Sequence, residues 1–207
     1  MLGRDVYDRP TLDVARDLIG MVLVRRSAEG TVAGRIVETE AYVGPDDRAS
    51  HASRGRTARN AAMFGPPGHA YVYLVYGMHW CLNLATGPEG TPAAVLLRAV
   101  EPLEGIELMR ARRPKAHRDV QLTSGPARLC QAFAVDGSQD GADVCSPDAA
   151  LYVEDRGLSA GRIVAAPRVG VDYAGEWAAK PFRFFDDGSP YVSVRPRARR
   201  RGHKRRK

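Results

Sequence analysis

From Arg35 to Tyr42 the residues alternate as an extended strand alternates, and the alternation places two carboxylates where a core strand ordinarily has none. By parity, Ile36, Glu38, Glu40 and Tyr42 share one face, and Val37, Thr39, Ala41 and Val43 share the other. A second segment, Tyr71 to Asn83, is richer in aromatic residues than any other part of the chain. Its one good turn signal, Tyr76-Gly77, stands between two apolar halves, so the segment reads as a hairpin with a tyrosine at its exposed tip.

The remaining segments fit around these two. Thr11 is placed to cap a short amphipathic helix with Leu12, Ala15, Leu18 and Ile19 on one side and Gly20 as its stop. Met21 to Arg26 and Thr31 to Tyr42 read as strands joined by a turn ending at Gly30. Gly44 to Gly68 reads as a polar loop made basic by Arg54, Arg56 and Arg59. Ala93 to Val100 is a near-continuous apolar run carrying Arg98, the pattern of a buried strand with one charge at its end. Pro102 to Arg113 is expected to be helical, as is a segment capped by Ser124 and running to Phe133 with Pro126 in its first turn. Asp136 to Pro147 is a turn-rich connector. Short strands are expected at Leu151 to Val153, Ile163 to Val171, Phe182 to Phe185 and Tyr191 to Val194. Closely spaced strands with few helices between them predict an α+β fold, one compact domain on a curved antiparallel sheet.

Charge has to be located before it can be used. The formal net charge is +7 over 207 residues, but the stretch from Arg195 to Lys207 holds nine basic residues and no acid. Residues 1–194 therefore carry 22 basic against 24 acidic side chains. The expected division is a folded domain over 1–194 and a solvated, disordered basic arm over 195–207 of the kind that contacts nucleic acid. No apolar run of spanning length and no charged-then-apolar leader is visible, so neither membrane insertion nor secretion is expected. The three cysteines, Cys81, Cys130 and Cys145, form no Cys-x-x-Cys pair and read as free thiols of a reducing compartment.

Several residues bear chemistry, and each has a plain structural reading beside it. Glu38 and Glu40 alone would be a solvated strand face, and parity does not choose between them. Arg98 would be a strand-end arginine reaching for solvent, although inside an apolar strand it calls for an anionic partner. Tyr71 and Tyr73 would be core residues, while Tyr76 at a turn is harder to explain by packing. His51, His69, His79 and His117 lack metal-ligand spacing and no phosphate-binding glycine loop occurs, so neither metal nor cofactor is expected. Before Arg195 the only lysines are Lys115 and Lys180, neither in a motif, which speaks against an amine nucleophile.

One set of motifs runs in order along nearly the whole body: Glu38-Thr39-Glu40-Ala41-Tyr42, Gly44-Pro45-Asp46-Asp47 with His51, Tyr71-Val72-Tyr73-x-x-Tyr76-Gly77-Met78, and Leu97-Arg98-Ala99-Val100-Glu101-Pro102. It continues through Ser124-Gly125-Pro126, Leu129-Cys130-Gln131-Ala132, Arg168-Val169-Gly170-Val171, Gly175-Glu176-Trp177-Ala178, Ser189-Pro190 and Val192-Ser193-Val194. In these motifs the chain resembles the alkyladenine (3-methyladenine) DNA glycosylases. The resemblance implies a single domain whose hairpin protrudes into DNA, and a monofunctional enzyme that flips damaged purines out of the duplex and hydrolyses their glycosidic bond. By the same resemblance Glu40 is the catalytic carboxylate and Glu38 is structural. Arg98 and the backbone carbonyl of Val169 help to hold the water. Tyr42, His51 and Tyr73 contact the flipped base, Asn83 excludes the 2-amino group of guanine, and Tyr76 inserts into the helix. The expected partner is double-stranded DNA with damaged purines, met by a monomer in the cytoplasm, at the nucleoid if the source is bacterial. Two other readings compete: a non-catalytic nucleic-acid-binding module using exposed tyrosines and the basic arm, and a hydrolase of free nucleosides.

Overall fold

Strand propensity and short turns build the sheet, and one long strand runs through its middle. The structure is a computed structural model and describes residues 1–195. In chain order come α1 (Arg4–Tyr7), α2 (Thr11–Asp17), β1 (Val22–Ser27), β2 (Gly30–Tyr42), β3 (Ala70–Val75), β4 (His79–Ala85) and β5 (Ala94–Glu104). Then follow α3 (Ile106–Arg112), α4 (Val120–Thr123), α5 (Pro126–Ala132), β6 (Leu151–Glu154), β7 (Ile163–Ala166) and β8 (Arg183–Asp186). All strand pairings are antiparallel, in the order β3-β4-β5-β2-β1-β6, with β8 against both β2 and β7. The α+β expectation holds: one compact domain on an open antiparallel sheet of eight strands.

β2 has 13 residues and serves two neighbours on one edge, β1 along its first half and β8 opposite Glu38 to Glu40. β5 follows its other edge, with register shifts between Ile36 and Glu38 and between Glu38 and Thr39. Such irregularities bend a strand and change which side chains share a face. Strict parity is therefore broken here: Ile36 joins the main apolar core with Ala41, while Thr39 reaches the same side to donate to the Ala15 carbonyl at 2.7 Å. Glu38 and Glu40 look the other way.

The core on that first side is made by Leu18, which ends α2, with Leu23, Ile36, Leu82, Leu97 and, from α5, Leu129 beside Phe133. The opposite face of the sheet is covered by irregular segments rather than α-helices. The polar stretch after Gly44 contains two 3-10 helices, His51–Arg54 and Ala58–Phe64. Ser50 caps the first, and a reciprocal Thr57/Asn60 capping box starts the second. Met63 from the second packs with Ala52, Tyr71 and Ala94.

Several expected boundaries move, each for a local reason. Pro10, not Thr11, precedes α2, and Thr11 is buried with its hydroxyl against Thr86. Gly125 caps α5, while Ser124 accepts instead from Arg128. β5 continues to Glu104 because Pro102 pairs with Gly34 on one edge and faces no strand on the other, where its missing amide hydrogen costs nothing. The helix begins only after Gly105, at φ +68°. β7 stops at Ala166, before Pro167, so Arg168 and Val169 leave the sheet. Tyr191 to Val194 forms no strand, because the Ser193 amide is spent on Glu38. Arg195, where the basic run starts, donates to the Asp187 and Ser189 carbonyls at 2.9 and 2.6 Å. The remainder of the expected basic arm lies outside the described residues. No described helix is long and apolar enough to cross a membrane.

Gly105 marks the hard stop of β5. A Cβ there would collide with the Thr31 carbonyl oxygen and lie 2.8 Å from Val32 Cγ1, whereas Gly87 at φ +74° has open space around it. Gly105→Ala is expected to cost about 3 kcal/mol, combining the left-handed backbone with overpacking, and Gly87→Ala about 1 to 2 kcal/mol from the backbone alone. Urea midpoints of the two variants decide this; equal losses would contradict the β5 boundary.

Candidate active site

Two carboxylates, Glu38 and Glu40, stand side by side on β2 with no solvent exposure at all. Buried ionised groups survive only with partners, and here every partner can be named. Glu38 Oε1 accepts from Arg98 Nε at 3.1 Å and Arg183 Nη1 at 2.8 Å, and its Oε2 accepts from the Ser193 amide at 2.6 Å. Glu40 Oε1 accepts from the Val169 amide at 2.7 Å; its Oε2 accepts from Tyr42 Oη at 3.0 Å and Arg98 Nη1 at 3.2 Å. The third guanidinium nitrogen of Arg98, Nη2, donates to Ser193 Oγ at 3.2 Å. Burial works against the charged form of Arg98, but Glu40 and Glu38 raise its pKa above the ordinary arginine value.

Above this cluster lies a cavity of about 490 Å³, within the usual range for small-molecule sites. One wall is aromatic. His51 shares a hydrogen bond with Tyr71 Oη at 2.8 Å and meets the Tyr73 ring edge-on with centroids 4.6 Å apart. Tyr71 and Tyr73 tilt against each other at 5.1 Å. Burial, then Arg59 and Arg54, push the His51 pKa down, and burial pushes those of Tyr42, Tyr71 and Tyr73 up, so this wall is uncharged. Cys81 also lines it, its thiol raised to about 11 by burial. Asn83 is buried in the lining and donates to the Tyr71 carbonyl at 3.0 Å.

The structure thus brings Tyr42, His51, Tyr73, Asn83, Arg98 and Val169 to one cavity, with Glu40 directly behind three of them. Val169 touches Glu40 through its amide hydrogen. Tyr76 also borders the cavity, at the tip of the β3–β4 hairpin. That tip is a three-residue loop, Tyr76, Gly77 and Met78, rather than a two-residue turn. Tyr76 is 89% exposed and held at φ +52°, a left-handed conformation that costs a non-glycine residue roughly 1 kcal/mol or more.

Sequence reasoning gave no role to the residues that hold the cavity's other wall. Arg168 and Asp47 form a fully buried bidentate pair at 2.5 and 2.8 Å. Arg168 also donates to the Ala41 carbonyl at 2.8 Å and lies over the Tyr42 ring, 4.7 Å from its centroid. Asp47 in turn accepts from the amides of Val43 and Ala49. One ion pair therefore ties the Val169 loop, the Tyr42 ring and the segment leading to His51. Arg183 and Ser193, which saturate Glu38, were likewise passed over. Three of the four carried a hint in the sequence: Arg168 adjoins Val169, Asp47 follows Asp46, and Arg183 sits in an apolar strand as Arg98 does. Among the described residues no group of three His, Cys, Asp or Glu side chains is arranged to hold a metal ion.

The arrangement can support hydrolysis at a planar ligand: an uncharged aromatic slot for the ligand, and a carboxylate fixed behind it by three donors. Comparison with known proteins agrees with that chemistry. Residues 5–190 match the family described as methylpurine-DNA glycosylase. A protein of Methanocella arvoryzae, provisionally named a 3-methyladenine DNA glycosylase, is 60% identical over 94% of this chain and 96% of its own length. The DNA-3-methyladenine glycosylase of Homo sapiens is 49% identical over 93% of this chain and 68% of its own, and that of Mus musculus is 49% identical over 93% and 61%. With the family model matched over residues 5–190 and relatives this similar over nearly the whole chain, the chain belongs to the methylpurine-DNA glycosylases and is a hydrolase of the N-glycosidic bond acting in DNA repair.

Proposed function

We propose that this enzyme extrudes damaged purines, alkylated or deaminated, from duplex DNA into the cavity and hydrolyses the glycosidic bond with a water activated by Glu40, leaving an abasic site. The observation that carries the assignment is where the two carboxylates' partners lie. All three donors to Glu40 line the cavity, whereas Arg183 and Ser193, two of the three donors to Glu38, do not. Departure of a purine leaves a sugar with oxocarbenium character, which a neighbouring carboxylate stabilises while it takes the proton from water. An N-alkylated purine departs from an already cationic state, so a strong general acid is dispensable.

Arg98 fixes Glu40 from one side and the Val169 amide from the other, with the Val169 carbonyl as the expected further contact of the water. Tyr42, His51 and Tyr73 offer neutral faces and edges to the base; aromatic faces favour electron-poor, positively charged rings. Asn83 faces the same space and is assigned the discrimination against guanine. Tyr76 fills the gap left by the extruded nucleotide, which supplies the reason for an exposed, strained tyrosine. The monofunctional reading is supported by the positions of the two body lysines: Lys180 lies on the Trp177 ring and Lys115 is exposed, both away from the cavity lining. The basic run from Arg195 is assigned to nonspecific contact with phosphates. Membership in an enzyme family favours this reading over a non-catalytic module, and the protruding tyrosine tip favours duplex DNA over free nucleosides.

Four variants test the assignment. Glu40→Gln is expected to abolish excision from a duplex carrying one lesion while retaining its binding, because shape stays and the proton acceptor goes. An active Glu40→Gln beside a dead Glu38→Gln would reverse the two roles. For Tyr76→Ser, single-turnover rates should fall most on well-paired lesions and least on mispaired ones, since unstacking costs a few kcal/mol that a mispair has already met in part. Uniform loss across substrates would make Tyr76 a folding residue. Asn83→Ser should raise release of undamaged guanine relative to hypoxanthine; an unchanged ratio in a folded protein would take Asn83 out of recognition.

A further inference from the structure

Arg183 lies outside the cavity, yet three parts of the site converge on it. Its Nη1 donates to Glu38 Oε1 at 2.8 Å and to the Val194 carbonyl at 2.7 Å, and its Nε donates to the Pro167 carbonyl at 2.9 Å. Pro167 begins the turn that delivers the Val169 amide to Glu40. Val194 follows Ser193, which closes on both Glu38 and Arg98. Resting on the reading of Glu40 as the base, we propose that Arg183 is a positioning residue of the reaction: it shares Glu38 with Arg98, balances the buried charges, and so keeps Arg98 aimed at Glu40.

Charge balance is the core of the argument. The titratable groups around Glu40 are Glu38 and Tyr42 on β2, Tyr73 on β3, Cys81 on β4, Arg98 on β5, Arg183 on β8 behind Glu38, and Arg168 in the Val169 loop. Tyr42, Tyr73 and Cys81 have raised pKa values and stay neutral. Arg168 is cancelled by Asp47. What remains is two carboxylates against two guanidinium groups, joined in the order Arg183, Glu38, Arg98, Glu40. Removing the Arg183 charge leaves two carboxylates to share one guanidinium, which favours protonation of one of them. Removing the Glu38 charge does the reverse. Removing both restores balance around Arg98 and Glu40.

The test is single-turnover excision at saturating enzyme on a duplex with one hypoxanthine, followed across pH. A base must be ionised, so activity falls on the acid side, and that limb should move up by about one pH unit in Arg183→Met and down by a similar amount in Glu38→Gln. In the double variant the limb should return to within about 0.3 pH unit of the parent, because the two opposite charge changes cancel. Arg183→Lys, which keeps the charge, should keep the limb. A residue of packing value alone would lower stability or rate with the limb fixed in every variant, and that result would overturn the proposal; so would a double variant that keeps either single shift. Should Arg183→Met fail to fold, Glu38→Gln against the double variant gives the same decision, because the double leaves no unbalanced charge behind. Undiminished excision by Glu40→Gln would instead defeat the reading of Glu40 itself, whatever the Arg183 variants do.

Discussion

Two carboxylates and two guanidinium groups, stripped of water at the centre of one strand, have to neutralise one another, and much of the sheet is arranged so that they do. An unpartnered ion in such a place costs several kcal/mol even after relaxation. The partners come from far along the chain: Arg98, Arg183 and Ser193 stand 60, 145 and 155 residues from Glu38. β2 can carry the cluster because it has β5 on one edge and β8 on the other at this height, and because its irregular register turns both carboxylates away from the apolar core. The site therefore exists only once the non-local pairings of the sheet are complete. Folding and chemistry depend on the same contacts.

A second arrangement follows from the first. With both carboxylates held behind the cavity, the aromatic wall itself stays neutral: burial keeps Tyr42, Tyr71 and Tyr73 as phenols and His51 below its ordinary pKa. A ligand entering this slot meets aromatic faces and edges first and the field of the carboxylate through them. Arg168 extends the principle to the other wall, where its charge is consumed by Asp47 and its planar face lies over Tyr42.

Much of this could be read in the amino-acid order, and what could not has identifiable causes. The α+β sheet and its central strands followed from alternation and turn residues, and the hairpin tip from Tyr76-Gly77. Alternation failed at Val37, since a bulge is set by the partner strand and leaves no mark on local parity. Helix propensity misled at Pro102 to Glu104, where an unpaired strand edge accepts proline, and the end of the β5 strand was decided by Gly105 fitting under Thr31. Glu38 and Glu40 were equivalent by pattern, and only the family resemblance separated them. In space their partners separate them: one set lines the cavity and the other does not. Arg168, Asp47, Arg183 and Ser193 escaped notice because Arg168 and Asp47 find each other across 121 residues, and Arg183 and Ser193 reach Glu38 across 145 and 155, partnerships that the neighbouring residues do not specify.

The cavity is bounded by two kinds of material. Its floor and one wall are strands β2 to β5, tied by ladders of hydrogen bonds and by the charge cluster behind them. Its rim comes from the His51–Arg54 and Ala58–Phe64 segments and from the Val169 turn, which are short, irregular and held by caps and one ion pair. Evolution can therefore revise much of the rim without the floor. Exchanges within the two 3-10 segments reshape the slot without touching the carboxylate cluster, which is locked into the sheet, whereas the Val169 turn, joined to Glu40 through its amide, is bound to both.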